Sequence, residues 1–150
     1  MDGFGLLLGH LVGDYILQND YLAKNKVNPY PVGPEPQLGQ DDFARRAEKW
    51  WYDEALCELG HIACSIHCLL YTLAVWACSW TWMPWWGLLA CFAIHWPVDR
   101  FRLARFWMEN VSGQHEFANG VFSPWSIIVV DNIFHLLTLY FIWGLSTLTH

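Results

Sequence analysis

Apolar residues in this chain gather into long blocks separated by short polar stretches. A helix rises about 1.5 Å per residue, so about 20 apolar residues cross a bilayer core. Four blocks approach that length, predicting spans over about 4–23, 55–79, 85–103 and 125–148. From Cys68 to Ile94 there is no charged residue, and only the turn-like stretch from Ser79 to Pro84 interrupts the run. Two helices joined by a tight hairpin explain it. The polar positions inside the blocks are ordered. His10, Asp14 and Gln18 fall on one stripe of the first helix, leaving Leu6, Leu8, Leu11, Val12 and Ile16 for lipid. In the second, Cys57, His61, Cys64, His67, Cys68, Tyr71 and Cys78 fall within an arc of about 120°, opposite Leu59, Ile62, Ile66, Leu70 and Leu73.

Between the blocks the signals are those of connections. Residues 28–36, with four prolines and a glycine, cannot be helical and read as a loop. Asp41 or Asp42 is placed to cap a helix beginning near Phe43. Arg45, Arg46, Lys49, Trp50 and Trp51 suit a helix lying at lipid headgroup level. Residues 109–124 form a polar loop in which His115 and Glu116 are solvated. Trp76, Trp80, Trp82, Trp85 and Trp86 gather at the hairpin like an interfacial aromatic belt.

Composition reinforces this picture. The chain is 55% hydrophobic and only 15% charged, against about a quarter charged in soluble domains. At 150 residues it is a single all-α domain: a bundle of four transmembrane helices with a cytoplasmic Pro-rich loop. All eight Lys and Arg lie in two clusters, after the first block and after the third. With four spans both clusters share one side. The positive-inside rule makes that side the cytoplasm and puts both termini outside, as in a multi-pass protein of the bacterial inner membrane. Residues Met1–Gly3 carry no basic group, so the first block is not a conventional signal peptide. Membrane lipids are the expected surroundings, and no nucleic-acid partner is expected. A homo-oligomer fits a bundle this small, although no feature names its interface.

The chemistry lies in pairs spaced four apart: His10/Asp14, His95/Asp99 and Asp131/His135, with His67 on the second span. Such spacing puts both members on one helical face. Ionisable groups inside spans are expensive and by default mark function. Midpoints place Asp14, His67, His95 and His135 in one central layer, with Gln18, Asp99 and Asp131 about one turn (~6 Å) toward the cytoplasm. Imidazole and carboxylate are ligands for zinc and similar divalent ions. His10, Asp14, His67, His95 and His135 are therefore candidate metal ligands, and Asp99 and Asp131 candidate bases. Against this stands simple hydrogen bonding between helices, or a proton or ion pathway. Cys57, His61, Cys64 and Cys68 share one helix over three turns and cannot close a tetrahedron around one ion. Core packing suits the cysteines better, and an odd count of five does not suggest a disulfide framework. Arg100, Arg102 and Arg105 could bind a phosphate-bearing headgroup, with Gln18 beside them, or could simply hold a helix end at the interface.

Four motifs carry a resemblance: GHLVGDYILQ at 9–18, CSIHCLLYT at 64–72, HWPVDRFRLAR at 95–105 and DNIFH at 131–135. Together they resemble a family of small integral membrane proteins of bacteria and phages that has no assigned activity. The resemblance implies that His10, Asp14, Gln18, His67, His95, Asp99, Asp131 and His135 are the family's motif positions. His61 and the Pro-rich loop lie outside those motifs. The leading expectation is metal-dependent hydrolysis of a lipid or lipid-linked substrate through a zinc-type centre. The alternatives are a non-enzymatic phage or host membrane factor, and a proton or metal-ion conductor.

Overall fold

In a computed structural model of the chain, the described residues are 3–26, 43–81 and 83–148, with 43–58 described by their helical backbone alone. Every regular element among them is helical. Helix α1 (Gly3–Leu11) runs into a π-helical turn (Val12–Ile16) and is followed by α2 (Asp20–Asn25). Helix α3 (Phe43–Ser79) pairs with α4 (Trp85–Arg100). Short α5 (Leu103–Phe106), a second π-helical turn (Trp107–Val111) and α6 (His115–Asn119) lead to α7 (Trp125–Leu148). The all-α expectation holds. Leu59–Ser79 and Trp125–Leu148 are long and apolar enough to cross a membrane, whereas Gly3–Ile16 is apolar but shorter.

Three boundaries differ from the sequence expectation, and the loop expected over 109–124 carries helix α6. The first block is two helices, because Asn19 adopts an extended backbone and its side chain accepts from Leu22 N at 2.9 Å, starting α2 afresh. The headgroup-level helix and the second span are one 37-residue helix. In α4, Pro97 removes an amide donor one turn before the helix ends. Arg102 then takes the left-handed conformation (φ 51, ψ 48) and redirects the chain into α5. The Pro-rich loop, the cap expected at Asp41 or Asp42, and the side chains of Arg45, Arg46, Lys49, Trp50, Trp51 and Cys57 lie outside the described residues.

Helix α1 lies against α3 through its glycines. A Cβ on Gly5 would come within 2.5 Å of the Cys78 carbonyl oxygen, one on Gly9 within 2.7 Å of Val75 Cα, and one on Gly13 within 2.6 Å of the Tyr71 ring. Contacts that climb α1 while descending α3 make the pair antiparallel. Glycines every four residues allow backbone-to-backbone approach, as small residues do between membrane helices. This approach carries Leu6 into the core with Tyr71, Val75, Cys91, Leu139 and Ile142. Leu6 is therefore core and not lipid-facing as its place in the first block suggested. The lipid-type face of α3 behaves as expected: Leu59, Ile62, Ile66 and Leu73 are exposed.

Candidate metal centre

Three elements converge on one buried cluster. The π-helical turn supplies Asp14, α3 supplies His67, and the last turns of α4 supply His95 and Asp99. Tight packing of the π-helical turn on α3 at Gly13 brings Asp14 beside His67. The Nε2 atoms of His67 and His95 are 3.2 Å apart. His67 Nε2 lies 3.2 Å from Asp14 Oδ1 and 3.1 Å from Asp99 Oδ2. From His95 Nε2 the same oxygens are at 3.8 and 3.2 Å. A tetrahedral ion with bonds of about 2.0–2.1 Å has ligand-to-ligand edges of about 3.3 Å. Four of these five separations, at 3.1–3.2 Å, match that size, and the one between His95 and Asp14 is longer at 3.8 Å.

Hydrogen bonding alone accounts poorly for the convergence. A ring nitrogen carries one proton or one lone pair, yet His67 Nε2 faces two carboxylate oxygens, a second imidazole nitrogen and an ammonium. Asp14 Oδ1 is buried with no hydrogen-bond partner among the described residues. Atoms with lone pairs pointed at one small volume suit a cation. One usual companion of a metal-bound histidine is missing: Nδ1 of both His67 and His95 is buried without a hydrogen-bond partner among the described residues. Stacking orients the His95 ring instead. It stacks on His135 at a centroid distance of 4.0 Å and 18°, and Tyr71 lies tilted against it at 3.9 Å.

Lys26 is the member that sequence reasoning missed. Its Nζ lies 2.8 Å from Asp99 Oδ2 and 3.1 Å from His67 Nε2. Standing just after an apolar block, Lys26 reads as a topology signal. Only the break before α2 turns it back toward the bundle.

Asp99 joins this cluster to a second one. Its Oδ1 lies 3.3 Å from His135 Nε2, which is 3.4 Å from Asp131 Oδ2. Asp131 is 30% exposed, whereas Asp99 and His135 are 2% exposed, so Asp131 is the carboxylate that reaches the surface. It looks into a cavity of about 250 Å³ also lined by Lys26, Asp99, Arg102 and Arg105.

His10 does not join the four converging atoms. Its Nε2 donates to Asn132 Oδ1 at 2.7 Å, and Nδ1 lies 3.1 Å from the Tyr71 hydroxyl and 3.2 Å from Asp14 Oδ2. The Asn132 amide is itself fixed by donating to Ile128 O and the Tyr15 hydroxyl. His10 thus orients Asp14 from behind. Gln18 Oε1 is buried with no hydrogen-bond partner among the described residues. His61 is exposed and stacks on Trp96 at 5.5 Å and 9°, outside the cluster.

The arginines separate. Arg100 is 1% exposed and packs on α3, where a Cβ on Gly60 would meet its Nη1 at 2.6 Å. Arg105 donates to Glu109 Oε1 at 2.9 Å and Asn119 Oδ1 at 2.6 Å, tying α5 to α6. Asn119 also donates to Glu109 Oε1 at 2.9 Å. Asn119 and Arg105 hold the Glu109 carboxyl below its ordinary value. Arg102 is exposed and lines the cavity. Cys68 can reach His95 and Asp99, and its Sγ lies 4.0 Å from that of Cys64.

Comparison with protein-family models, with curated proteins and with solved structures finds no match.

Proposed function

We propose that the chain is a metal-dependent membrane hydrolase whose divalent ion, zinc by its nitrogen and oxygen donors, is held by His67, His95 and one of the carboxylates Asp14 and Asp99, the other standing beside a fourth position open to water. The observation that carries the reading is that the Nε2 atoms of His67 and His95 lie 3.2 Å from each other and 3.1–3.8 Å from the Asp14 and Asp99 oxygens. When bound, such an ion polarises a substrate oxygen and lowers the pKa of bound water to about 7. Asp131, at the cavity and in contact with His135, is positioned to accept a proton from an incoming water. His135 passes that interaction to Asp99 and holds both carboxylates in place. His10 and Asn132 fix the far oxygen of Asp14. The four-span topology, with the arginine-bearing end in the cytoplasm, belongs to this proposal. It places the cavity at the inner half of the membrane, open to a lipid or lipid-linked substrate.

The test is product formation. Protein in detergent is incubated with a bacterial lipid extract and followed by mass spectrometry, with and without chelator. The reading expects a hydrolysis product that disappears with chelator and with Asp99→Asn. A product indifferent to both, or no product from metal-loaded protein across ester and phosphate-ester lipids, would contradict it.

One observation favours a second reading. His10, Asp14, His67, Asp99, His135 and Asp131 form an unbroken series of contacts of 3.4 Å or less. Such a series suits proton movement. A conductor would dissipate a pH gradient across liposomes, and Asp99→Asn would stop it.

A further inference from the structure

The cavity beside the cluster has a lining of mixed character. Lys26, Asp99, Asp131, Arg105 and the exposed Arg102 supply its charges, and Ala23, Val98, Pro124 and Ile127 its apolar part. Its volume of about 250 Å³ falls below the roughly 300–1,000 Å³ that encloses a drug-sized ligand. It therefore admits a headgroup and the start of a chain, and leaves a longer tail outside. The neighbouring surface suits such a tail: Phe101, Phe106 and Trp125 are exposed.

Arg102 is the distinctive charge. Arg105 is already held by Glu109 and Asn119. No carboxylate pairs with Arg102 among the described residues, and Arg105 is the neighbouring charge that acts on it. Its backbone occupies the left-handed region, uncommon for a residue with a long side chain. Non-glycine residues held there concentrate at ligand clamps and active sites. A guanidinium without a carboxylate partner, in a partly apolar cavity, is suited to bidentate capture of a phosphate.

Resting on the hydrolase reading and naming its substrate class, we infer that this cavity binds the phosphate group of an amphiphile, with Arg102 on the phosphate oxygens and the ester side facing Asp99 and Asp131. Lys26, in the same cavity, offsets the two carboxylates as the anion enters.

The experiment measures binding by chelator-treated protein in detergent, so that it does not depend on a metal. Short-chain phosphatidic acid and inorganic phosphate are titrated separately into wild type, Arg102→Asn, Arg102→Lys and Arg105→Gln. Asn tolerates the left-handed backbone, so Arg102→Asn removes the charge without forcing the turn. Phosphatidic acid should bind wild type at least tenfold more tightly than Arg102→Asn, with Arg102→Lys and Arg105→Gln between them. Tighter binding of the lipid than of inorganic phosphate assigns the site to a headgroup. Equal, Arg102-dependent binding of both assigns it to free phosphate and supports the phosphate site alone. No binding of either, or binding unchanged in a folded Arg102→Asn, overturns the inference. The metal reading fails separately, by absence of bound metal in protein that still binds phosphate.

Discussion

The Lys26 ammonium sits 2.8 Å from Oδ2 of Asp99, so a lysine at the end of α2 reaches a carboxylate in the last turn of α4. The same ammonium lies 3.1 Å from His67 Nε2. It is an internal cation in contact with two of the four converging atoms. Lysine and a divalent ion therefore compete for one patch of negative charge.

Lys26→Met separates the two roles. Without the internal competitor, zinc should bind roughly tenfold more tightly, since each tenfold corresponds to about 1.4 kcal/mol. The metal-free variant should lose about 3 kcal/mol of stability, the cost of stripping a buried carboxylate of its partner. Zinc titration calorimetry and thermal unfolding of metal-free protein in detergent check both. Weaker zinc binding would make Lys26 a support of the site and not a rival.

The glycine contacts make a second prediction. At Gly9 an added methyl meets the Val75 backbone at 2.7 Å, and backbone cannot swing aside. Gly9→Ala should cost about 1–3 kcal/mol, the usual range for overpacking. It should also weaken metal binding, because α1 carries Asp14 away from His67. At Gly144 an added Cβ meets nothing within 4 Å. Gly144→Ala should be neutral or stabilise α7 by up to about 1 kcal/mol. Thermal unfolding of the two variants side by side would show whether space or helix propensity governs.

The Arg105–Glu109–Asn119 tether has a pH signature. Glu109 is held below its ordinary value of 4.5 by Asn119 and Arg105. A carboxyl with a depressed folded value contributes stability that is present above 4.5 and lost as pH falls through the lowered value. Being a surface interaction, it is worth under about 1 kcal/mol. Amide exchange of residues 107–119 should accelerate at acid pH, beyond the intrinsic change. Glu109→Gln should show the faster exchange at neutral pH and remove the pH dependence.

Much of the site was legible because spacing of four on a helix survives folding. Asp14, His67, His95, Asp99, Asp131 and His135 share two linked clusters, as their common faces and depths suggested. The fourth block, apolar on both sides of the Asp131–His135 pair, has the expected bounds of Trp125–Leu148. What was not legible depended on backbone breaks and close approach. Lys26 enters only because Asn19 restarts the helix. Leu6 becomes core because Gly5 and Gly9 let α1 sink onto α3, and that glycine spacing was a signal available in the sequence. His10 and Asp14 share a face, but the Asn132 side chain decides that His10 serves as a support. Arg100, Arg102 and Arg105 looked alike as three positive charges, and the left-handed turn at Arg102 sends them to three different environments.

Metal content per chain is the most direct test of the centre. Protein purified in detergent, loaded with zinc and freed of excess is assayed by elemental analysis as wild type, His95→Gln, Asp99→Asn and His61→Gln. One zinc per chain is expected for wild type and His61→Gln, with loss in the other two while they remain helical and monodisperse. Zinc absent from wild type, or unchanged in His95→Gln and Asp99→Asn, would contradict a metal centre in this bundle.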